Sequence, residues 1–331
     1  MSPHSDTAPA GEHGNHRHGH GHGNGGQAQG HGHGHGHGHG HGHGHDTEID
    51  WEAMSDHLVA AGELEMPVLR DVAARLHGLL DSAGHEVRRV LDVGSGPGVM
   101  TCVFAEEFGT ADAVAVDGSQ PLLDRALTRA AGLGLAGRVG TLAAELPAGL
   151  DDGLGTADLV WSSKAVHHLG DQQGALDALA RVLRPGGALA VAEGGLPMRY
   201  LPRDIGIGAP GLLARLDGVQ EEWFAAMRAD LPGSTPVVED WPAMLRAAGL
   251  TGVTSFTCLL DLPAPLSAAG RAYLLAHLTR VREKVGGDLL AQADLDTLDV
   301  LVDPDSPEGI LRRPDAFLLA GTTVHVGVRP H

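Results

Sequence analysis

Short apolar runs alternate with helical stretches through the middle of the chain, and this alternation constrains the fold more than any other feature. The runs are "RVLDVG" (89–94), "ADAVAVDG" (111–118), "RVGTLAAE" (138–145), "ADLVWSS" (157–163) and "GALAVAEG" (187–194). Strands that are apolar along their whole length are typical of parallel sheets covered by helices on both faces. The pattern therefore predicts an α/β fold with a doubly wound, mostly parallel sheet.

The flanking segments complete the predicted architecture. Apolar residues at three- and four-residue spacing predict two N-terminal helices, the second beginning near Pro67 and ending near Gly84. Downstream, the sequence predicts a helical insertion over 201–231, a helix over 239–250, a strand over 251–260, further helices within 267–302 and a last strand over 317–328. The sheet should then have seven strands, with helical lid insertions beside it.

Residues 1–45 differ in composition from the rest of the chain. They hold 14 of the 22 histidines and almost no apolar residues, so we expect this His/Gly-rich tail to be disordered. Closely spaced imidazoles on a flexible backbone can bind Ni, Cu or Zn, whereas a solvated repeat with no selected task is the alternative. The candidate ligands for such a divalent transition metal are His31, His33, His35, His37, His39, His41, His43 and His45.

Charge and composition exclude several classes of protein. The chain of 331 residues has 42 acidic and 23 basic residues, a net charge of −19, which argues against a nucleic-acid partner. It has no signal-peptide pattern and no apolar run of about 18 residues, so we expect a cytoplasmic protein without a membrane partner. Two cysteines are too few for a disulfide framework.

The stretch "VLDVGSGPGVM", residues 90–100, places three glycines directly behind the first predicted strand, where open parallel sheets bind ligands. A phosphate-binding loop would need a lysine after the last glycine, and none follows Gly98. A dinucleotide-binding loop would need a glycine where the chain has Val99. What remains is an acid-x-Gly-x-Gly-x-Gly pattern that starts at Asp92.

This pattern resembles the first motif of the class I S-adenosylmethionine-dependent methyltransferases, and the resemblance continues to Glu193. Asp117 ends the second predicted strand, where the family places a carboxylate that binds ribose. "AAELP" follows the third strand, where the family contacts adenine; Glu145 is the best match, although many relatives have aspartate there. "DLVWSSKAVHHL" and "RVLRPGGALAVAE" are similar to the family's segments around its fourth and fifth strands.

The resemblance implies a Rossmann-like methyltransferase fold with an antiparallel last strand and S-adenosyl-L-methionine as cofactor. The methyltransferase domain would span 46–331, with a helical cap at 46–86, a cofactor-binding core at 87–200, and substrate lid helices and final strands at 201–331. The residues implied to bind the cofactor are Asp92, Gly94, Ser95, Gly96, Gly98, Asp117, Gly118, Glu145, Ser162 and Ser163.

His167 and His168 follow the fourth predicted strand, at the end of the sheet where the transferred methyl group should point. Either imidazole could act as the catalytic base, and the alternative is a helix-start pair in which one ring packs and the other is solvated. We predict methyl transfer to an oxygen or nitrogen of a small-molecule substrate. The alternatives are a metal-binding or metal-storage protein, whose methyltransferase-like body only binds a ligand, and a protein methyltransferase.

Several large side chains are candidates for the walls of a substrate pocket, and the alternative for each is a place in the core. They are Trp51, Trp161, Met198, Tyr200, Trp223, Phe224, Tyr273 and His277. Four arginines could hold a carboxylate or phosphate of the substrate, namely Arg199, Arg203, Arg312 and Arg313.

Overall fold

A computed structural model describes residues 52–146, 149, 153–285 and 289–331, and the predicted tail at 1–45 lies outside them. The described part contains one seven-stranded sheet in which β7 runs antiparallel to both of its neighbours. Its strands are β1 (Arg89–Val93), β2 (Asp112–Asp117), β3 (Val139–Ala143), β4 (Ala157–Ser163), β5 (Leu183–Arg199), β6 (Thr251–Leu262) and β7 (Leu318–Val328). Their order is β3-β2-β1-β4-β5-β7-β6.

Strands β1 to β5 are parallel to their neighbours, and the strand order reverses between β1 and β4. In an open α/β sheet, ligands bind at the carboxyl ends of the strands beside such a reversal. The described helices are α1 (Ser55–Ser82), α2 (Val99–Glu107), α3 (Gln120–Gly132), α4 (Gln172–Arg181), α5 (Leu212–Asp230), α6 (Trp241–Ala247), α7 (Ala268–Lys284) and α8 (Gln292–Val302).

The two faces of the sheet are covered by different helices, as a doubly wound fold requires. In β1, Val90 packs with residues of α1 and α2, whereas Leu91 and Val93 pack with residues of α4 and α6. Successive side chains of a strand point to opposite faces, so a strand buried on both sides is apolar along most of its length. The predicted fold class is therefore confirmed.

The prediction of two N-terminal helices is wrong, because α1 is a single helix of 28 residues with Pro67 inside it. A proline in a helix removes one backbone hydrogen bond, and packing can offset that loss. Here Val72 and Leu76 are buried after the proline, and Gly62 before it lets α1 approach α2. A Cβ on Gly62 would lie 2.8 Å from a methyl carbon of Val99.

Strand β5 is longer than the predicted run at 187–194. It extends to Arg199 and pairs with β7 beyond the end of β4, while β6 pairs with β7 as far as Leu262. The three strands thus project past the parallel part of the sheet and form a wall beside its carboxyl edge. Among the described helices, none is both long and apolar enough to span a bilayer.

The glycine loop between β1 and α2 depends on positive φ angles that glycine adopts most readily. Gly98 has φ +70°, and a Cβ there would overlap the Cβ of Ala126 in α3. Gly134, just after α3, has φ +73° with no atom near its missing Cβ. The two glycines share a conformation and differ in the space around them.

We predict that Gly134→Ala lowers the free energy of unfolding by about 1 kcal/mol, since only the left-handed backbone disfavours alanine there. Gly98→Ala should cost roughly 1–3 kcal/mol more, because α3 must also move away. Urea denaturation of both variants measures the difference. Equal costs in the two variants would show that α3 does not constrain the loop.

Candidate functional site

The glycine loop is attached to β2 as well as to β1. The amides of Gly94 and Ser95 both donate to the carbonyl oxygen of Val116, at 2.8 and 3.1 Å. Gly94 has φ +74°, and a Cβ on it would lie 2.6 Å from the Cβ of Ala165. The backbone of the loop is therefore held close to the ends of β2 and β4, where an added side chain would not fit.

The carboxylate of Asp117 fastens the loop from the end of β2. One oxygen accepts from the Gly96 amide and the other from the Ser119 amide, both at 2.9 Å. Each carboxylate oxygen has two acceptor positions, so both oxygens can accept a further hydrogen bond from a ligand. Asp117 thus both orders the loop and presents an anionic edge beside it.

Gly118 and Glu145 lie next to each other at the carboxyl ends of β2 and β3. A Cβ on Gly118 would lie 3.7 Å from the Cγ of Glu145, whose side chain is exposed. The structure therefore brings Asp117, Gly118 and Glu145 together beside the glycine loop.

Asp92 occupies β1 directly below the loop and is almost completely buried, with 3% of its surface exposed. Its carboxylate accepts from the Thr101 hydroxyl at 2.5 Å. Burial raises the pKa of the Asp92 carboxyl to about 7; the Thr101 hydrogen bond opposes the rise, and the nearby Asp117 adds to it. A cation close to Asp92 would favour its ionised form.

The two serines at the end of β4 differ in their surroundings. Ser162 is buried, and its hydroxyl donates to the Val93 carbonyl oxygen at 3.0 Å. Its hydroxyl hydrogen is therefore engaged in holding β4 against β1. Ser163 is half-buried at the last position of the strand.

A histidine-carboxylate pair follows β4. His167 lies in a single 3-10 turn, Val166–His168, and its Nδ1 is 2.6 Å from Glu193 Oε2. The other oxygen of Glu193 accepts from the Val166 amide at 3.1 Å. A buried carboxylate that accepts from Nδ1–H leaves the Nε2 of the neutral ring as a proton acceptor.

The sequence interpretation did not include Glu193 among the site residues. It is 3% exposed and lies in β5, which is otherwise apolar at this point. Burying a carboxylate in an apolar strand costs free energy unless the carboxylate is hydrogen-bonded. The position of Glu193 in such a strand was therefore the sequence signal that could have marked it as a site residue. Only the tertiary structure shows that its partner is the turn after β4.

His168 has a different environment from His167, although their ring centroids are only 4.1 Å apart. Burial, together with the nearby His167 and Arg228, lowers the pKa of His168 to about 4. Arg228 donates to the carbonyl oxygens of His167 and Leu169, at 3.0 and 2.5 Å, so α5 fixes the turn. His168 is thus a neutral ring near pH 7.

A chamber of about 320 Å³ lies near the end of β4. It is bounded by α1, α5, α7 and the projecting parts of β5, β6 and β7, and Lys164 is at its edge. Its lining includes Leu64, Glu65, Met198, Gln220, Leu260, Tyr273 and Thr322. Cavities of this size that combine apolar walls with a few polar groups suit small molecules.

Two of the predicted wall residues, Met198 and Tyr273, line the chamber, and Phe224 contacts the ring of His167 with centroids 5.4 Å apart. Trp161 does not line it, because its ring is buried in the core against Phe104. Trp51 lies outside the described residues.

The predicted metal ligands His31 to His45 also lie outside the described residues. Within the part of the chain that the structure describes, no group of three or more histidine, cysteine, aspartate or glutamate side chains could hold a metal ion.

The pKa of Asp92 predicts an unusual pH dependence of stability in the ligand-free protein. Asp92 ionises near pH 3.8 when unfolded and near pH 7 when folded, so the folded state holds the proton more tightly. Protonated Asp92 therefore contributes up to about 4 kcal/mol to the free energy of unfolding. This contribution is complete below pH 3.8 and is lost as the pH rises to about 7. We expect Asp92→Asn to remove this decline in denaturation measured from pH 4 to 7.5.

Asp112→Asn, at the exposed start of β2, is the matched control and should leave the decline unchanged. A wild-type profile that parallels the Asp92→Asn profile would contradict the assignment of the decline to Asp92.

Residues 90–187 match the protein family described as methyltransferase domain. The biotin biosynthesis bifunctional protein BioCD of Bordetella avium is 41% identical over 104 residues, 31% of this chain and 21% of that protein. The methyltransferase GfsG of Streptomyces halstedii is 31% identical over 199 residues, 59% of this chain and 61% of that protein. The chain thus covers less than two thirds of the length of these curated relatives.

Among solved structures, an O-methyltransferase family protein from Burkholderia thailandensis superposes with a TM-score of 0.45 and 18% identity. The superposition covers 86% of this chain and 61% of that one. The family match runs from β1 into β5 and therefore includes the glycine loop, Asp117 and the turn that holds His167. This match shows a methyltransferase domain at residues 90–187, which includes the parallel strands β1 to β4 and the start of β5.

Proposed function

We propose that this protein transfers a methyl group from S-adenosylmethionine to an oxygen or nitrogen of a small molecule. The observation that carries the proposal is the His167–Glu193 pair, which stands at the same edge of the sheet as the glycine loop. A base beside the methyl donor is useful when the acceptor must lose a proton, as a hydroxyl does.

The residues around the loop fit the donor in chemistry and in space. Asp117 retains free acceptor positions for ribose hydroxyls, and the exposed Glu145 stands beside it. A Cβ built on Gly96 would have only one atom within 4 Å, Leu58 Cδ1 at 3.8 Å, so the backbone there is open to a ligand. A carboxylate such as Asp92 under the loop suits the ammonium group of an amino acid.

When bound, S-adenosylmethionine supplies an electrophilic methyl group attached to a positively charged sulfur. The protein's contribution is then to orient the acceptor, remove its proton and exclude water. In our proposal His167 Nε2 takes the acceptor's proton, and Glu193 holds Nδ1–H and stabilises the resulting imidazolium. Phe224 packs against the His167 ring and limits its contact with water.

The chamber supports a small acceptor rather than a protein side chain. Its volume of about 320 Å³ lies at the lower end of the range for small-molecule sites, and residues of α1, α5 and α7 contribute to its lining. The net charge of −19 disfavours a nucleic-acid acceptor.

We expect Asp117→Ala to weaken S-adenosylmethionine binding by about 2 kcal/mol or more, because charge-assisted hydrogen bonds to the ribose are lost. Isothermal titration calorimetry measures this affinity, with Asp112→Ala as the control on the same strand. Unchanged binding in Asp117→Ala would refute the proposed cofactor site.

We expect Glu193→Gln to lower the rate of methyl transfer by about 100-fold or more, with cofactor affinity unchanged. Glutamine has one acceptor oxygen in place of two. If the Val166 amide keeps that oxygen, the amide nitrogen faces Nδ1 and cannot accept from it, so the ring would place its proton on Nε2 and lose its role as a base. His167→Gln should have a comparable effect. The acceptor is first identified by profiling metabolites in extracts supplied with labelled S-adenosylmethionine.

The control for both variants is His77→Gln. It removes a half-buried histidine whose Nδ1 lies 2.8 Å from Glu107 Oε1, a similar pair at the end of α2 opposite to the loop. Full methyl transfer by His167→Gln would exclude His167 as the base.

A further inference from the structure

A cluster of aromatic and titratable side chains lies between α1 and α7. The ring of His57 in α1 stacks on Tyr273 in α7, with centroids 4.7 Å apart and planes 6° apart. His277, one helical turn further along α7, lies 6.5 Å from His57. Tyr273, His277 and Arg280 recur at helical spacing and therefore share one face of α7.

Two polar atoms of this cluster have no hydrogen-bond partner among the described residues. They are His57 Nδ1 and Arg280 Nη2, and both are buried. An unsatisfied buried donor on a cation is costly, which makes it a candidate for binding an anion. Other arginines of the region are paired: Arg199 with Asp217, Arg313 with Asp315 and Arg282 with Asp299.

The electrostatics of the cluster favour an anion. Burial lowers the pKa of His57 to about 4, with Arg280 and His277 adding to the shift, and burial with Arg280 lowers the pKa of His277 to about 4. Both imidazoles are therefore neutral near pH 7, and Arg280 supplies the positive charge. Burial also lowers the pKa of the Arg280 guanidinium itself, while the nearby Tyr273 and Glu283 oppose that shift without hydrogen-bonding to Nη2.

The position of the cluster connects it with the proposed site. Tyr273 lines the chamber on one side and stacks on His57 on the other. Leu58, the neighbour of His57, is the residue that approaches Gly96 of the glycine loop. The N-terminal part of α1 thus lies near the loop, and Tyr273 is the member of the cluster that connects it with the chamber.

We infer that Arg280 and His57 bind a carboxylate of the acceptor molecule, so that the enzyme selects anionic small molecules. This inference rests on the proposed function and names the substrate class of the same site. The guanidinium contributes charge and N–H donors, and His57 contributes a second donor from Nδ1. None of the four arginines singled out from the sequence is Arg280, because its role follows from contacts between α1 and α7.

The test uses two probes of nearly equal shape, 4-hydroxybenzoate and the neutral 4-hydroxybenzamide, with the full chain saturated with S-adenosylhomocysteine. Calorimetry should show the carboxylate binding about tenfold or more tightly than the amide. Arg280→Gln should abolish this preference. Arg282→Gln, on the same helix but paired with Asp299, is the matched control and should preserve it.

A second readout on the wild-type protein does not depend on how the variants fold. NMR titration of His57 should show its pKa rise from about 4 when 4-hydroxybenzoate binds, since an anion offsets the effect of Arg280. The amide should leave that pKa unchanged.

Equal affinity for the two probes, no binding of the carboxylate at millimolar concentration, or a preference retained in Arg280→Gln would each overturn the inference. Failure of S-adenosylhomocysteine to bind would instead refute the proposed function, so the two failures can be told apart.

Discussion

The proposed active site depends on one buried carboxylate, that of Glu193 in β5. It accepts from the Val166 amide and from His167 Nδ1, and these two hydrogen bonds orient the turn after β4. A carboxylate that is 3% exposed is tolerated in an apolar strand only with such partners. The pairing of β4 with β5 brings Ser163 opposite Ala192, one residue before Glu193, and so sets the position of the turn.

Three acidic side chains lie near the carboxyl ends of the strands, and they differ in exposure and in hydrogen-bond partners. Asp117 is half-buried, orders the glycine loop and keeps acceptor positions for a ligand. Asp92 is buried below the same loop, and burial raises its pKa to about 7, so a bound cation would stabilise the charge that burial disfavours. Glu193 is hydrogen-bonded to His167, whereas our proposal places Asp92 and Asp117 beside the methyl donor. The same functional group thus serves three purposes because the surrounding solvent and partners differ.

The projecting strands and the helices around them form the second half of the site. Strands β5, β6 and β7 continue past the parallel sheet, and α1 and α7 close the space against them. Within that space the rings of His57 and Tyr273 lie beside Arg280, whose Nη2 has no partner among the described residues. The proposed base His167, together with a buried guanidinium nitrogen that has no hydrogen-bond partner among the described residues, would suit an acceptor that carries both an ionisable hydroxyl or amine and a carboxylate.

The sequence alone determined the fold class, the positions of the strands apart from the length of β5, and the resemblance to methyltransferases, because apolar runs, glycines and the spacing from Asp92 to Asp117 are local features. It did not determine the single helix α1, since the packing that keeps it continuous past Pro67 comes from distant residues. Nor did it reveal the hydrogen-bond partner of His167 or the surroundings of Arg280. Glu193 is 26 residues from His167, and His57 is far from Arg280 in the chain, so only tertiary contacts bring them together. Hydrogen bonding and burial of such pairs are decided by the folded chain.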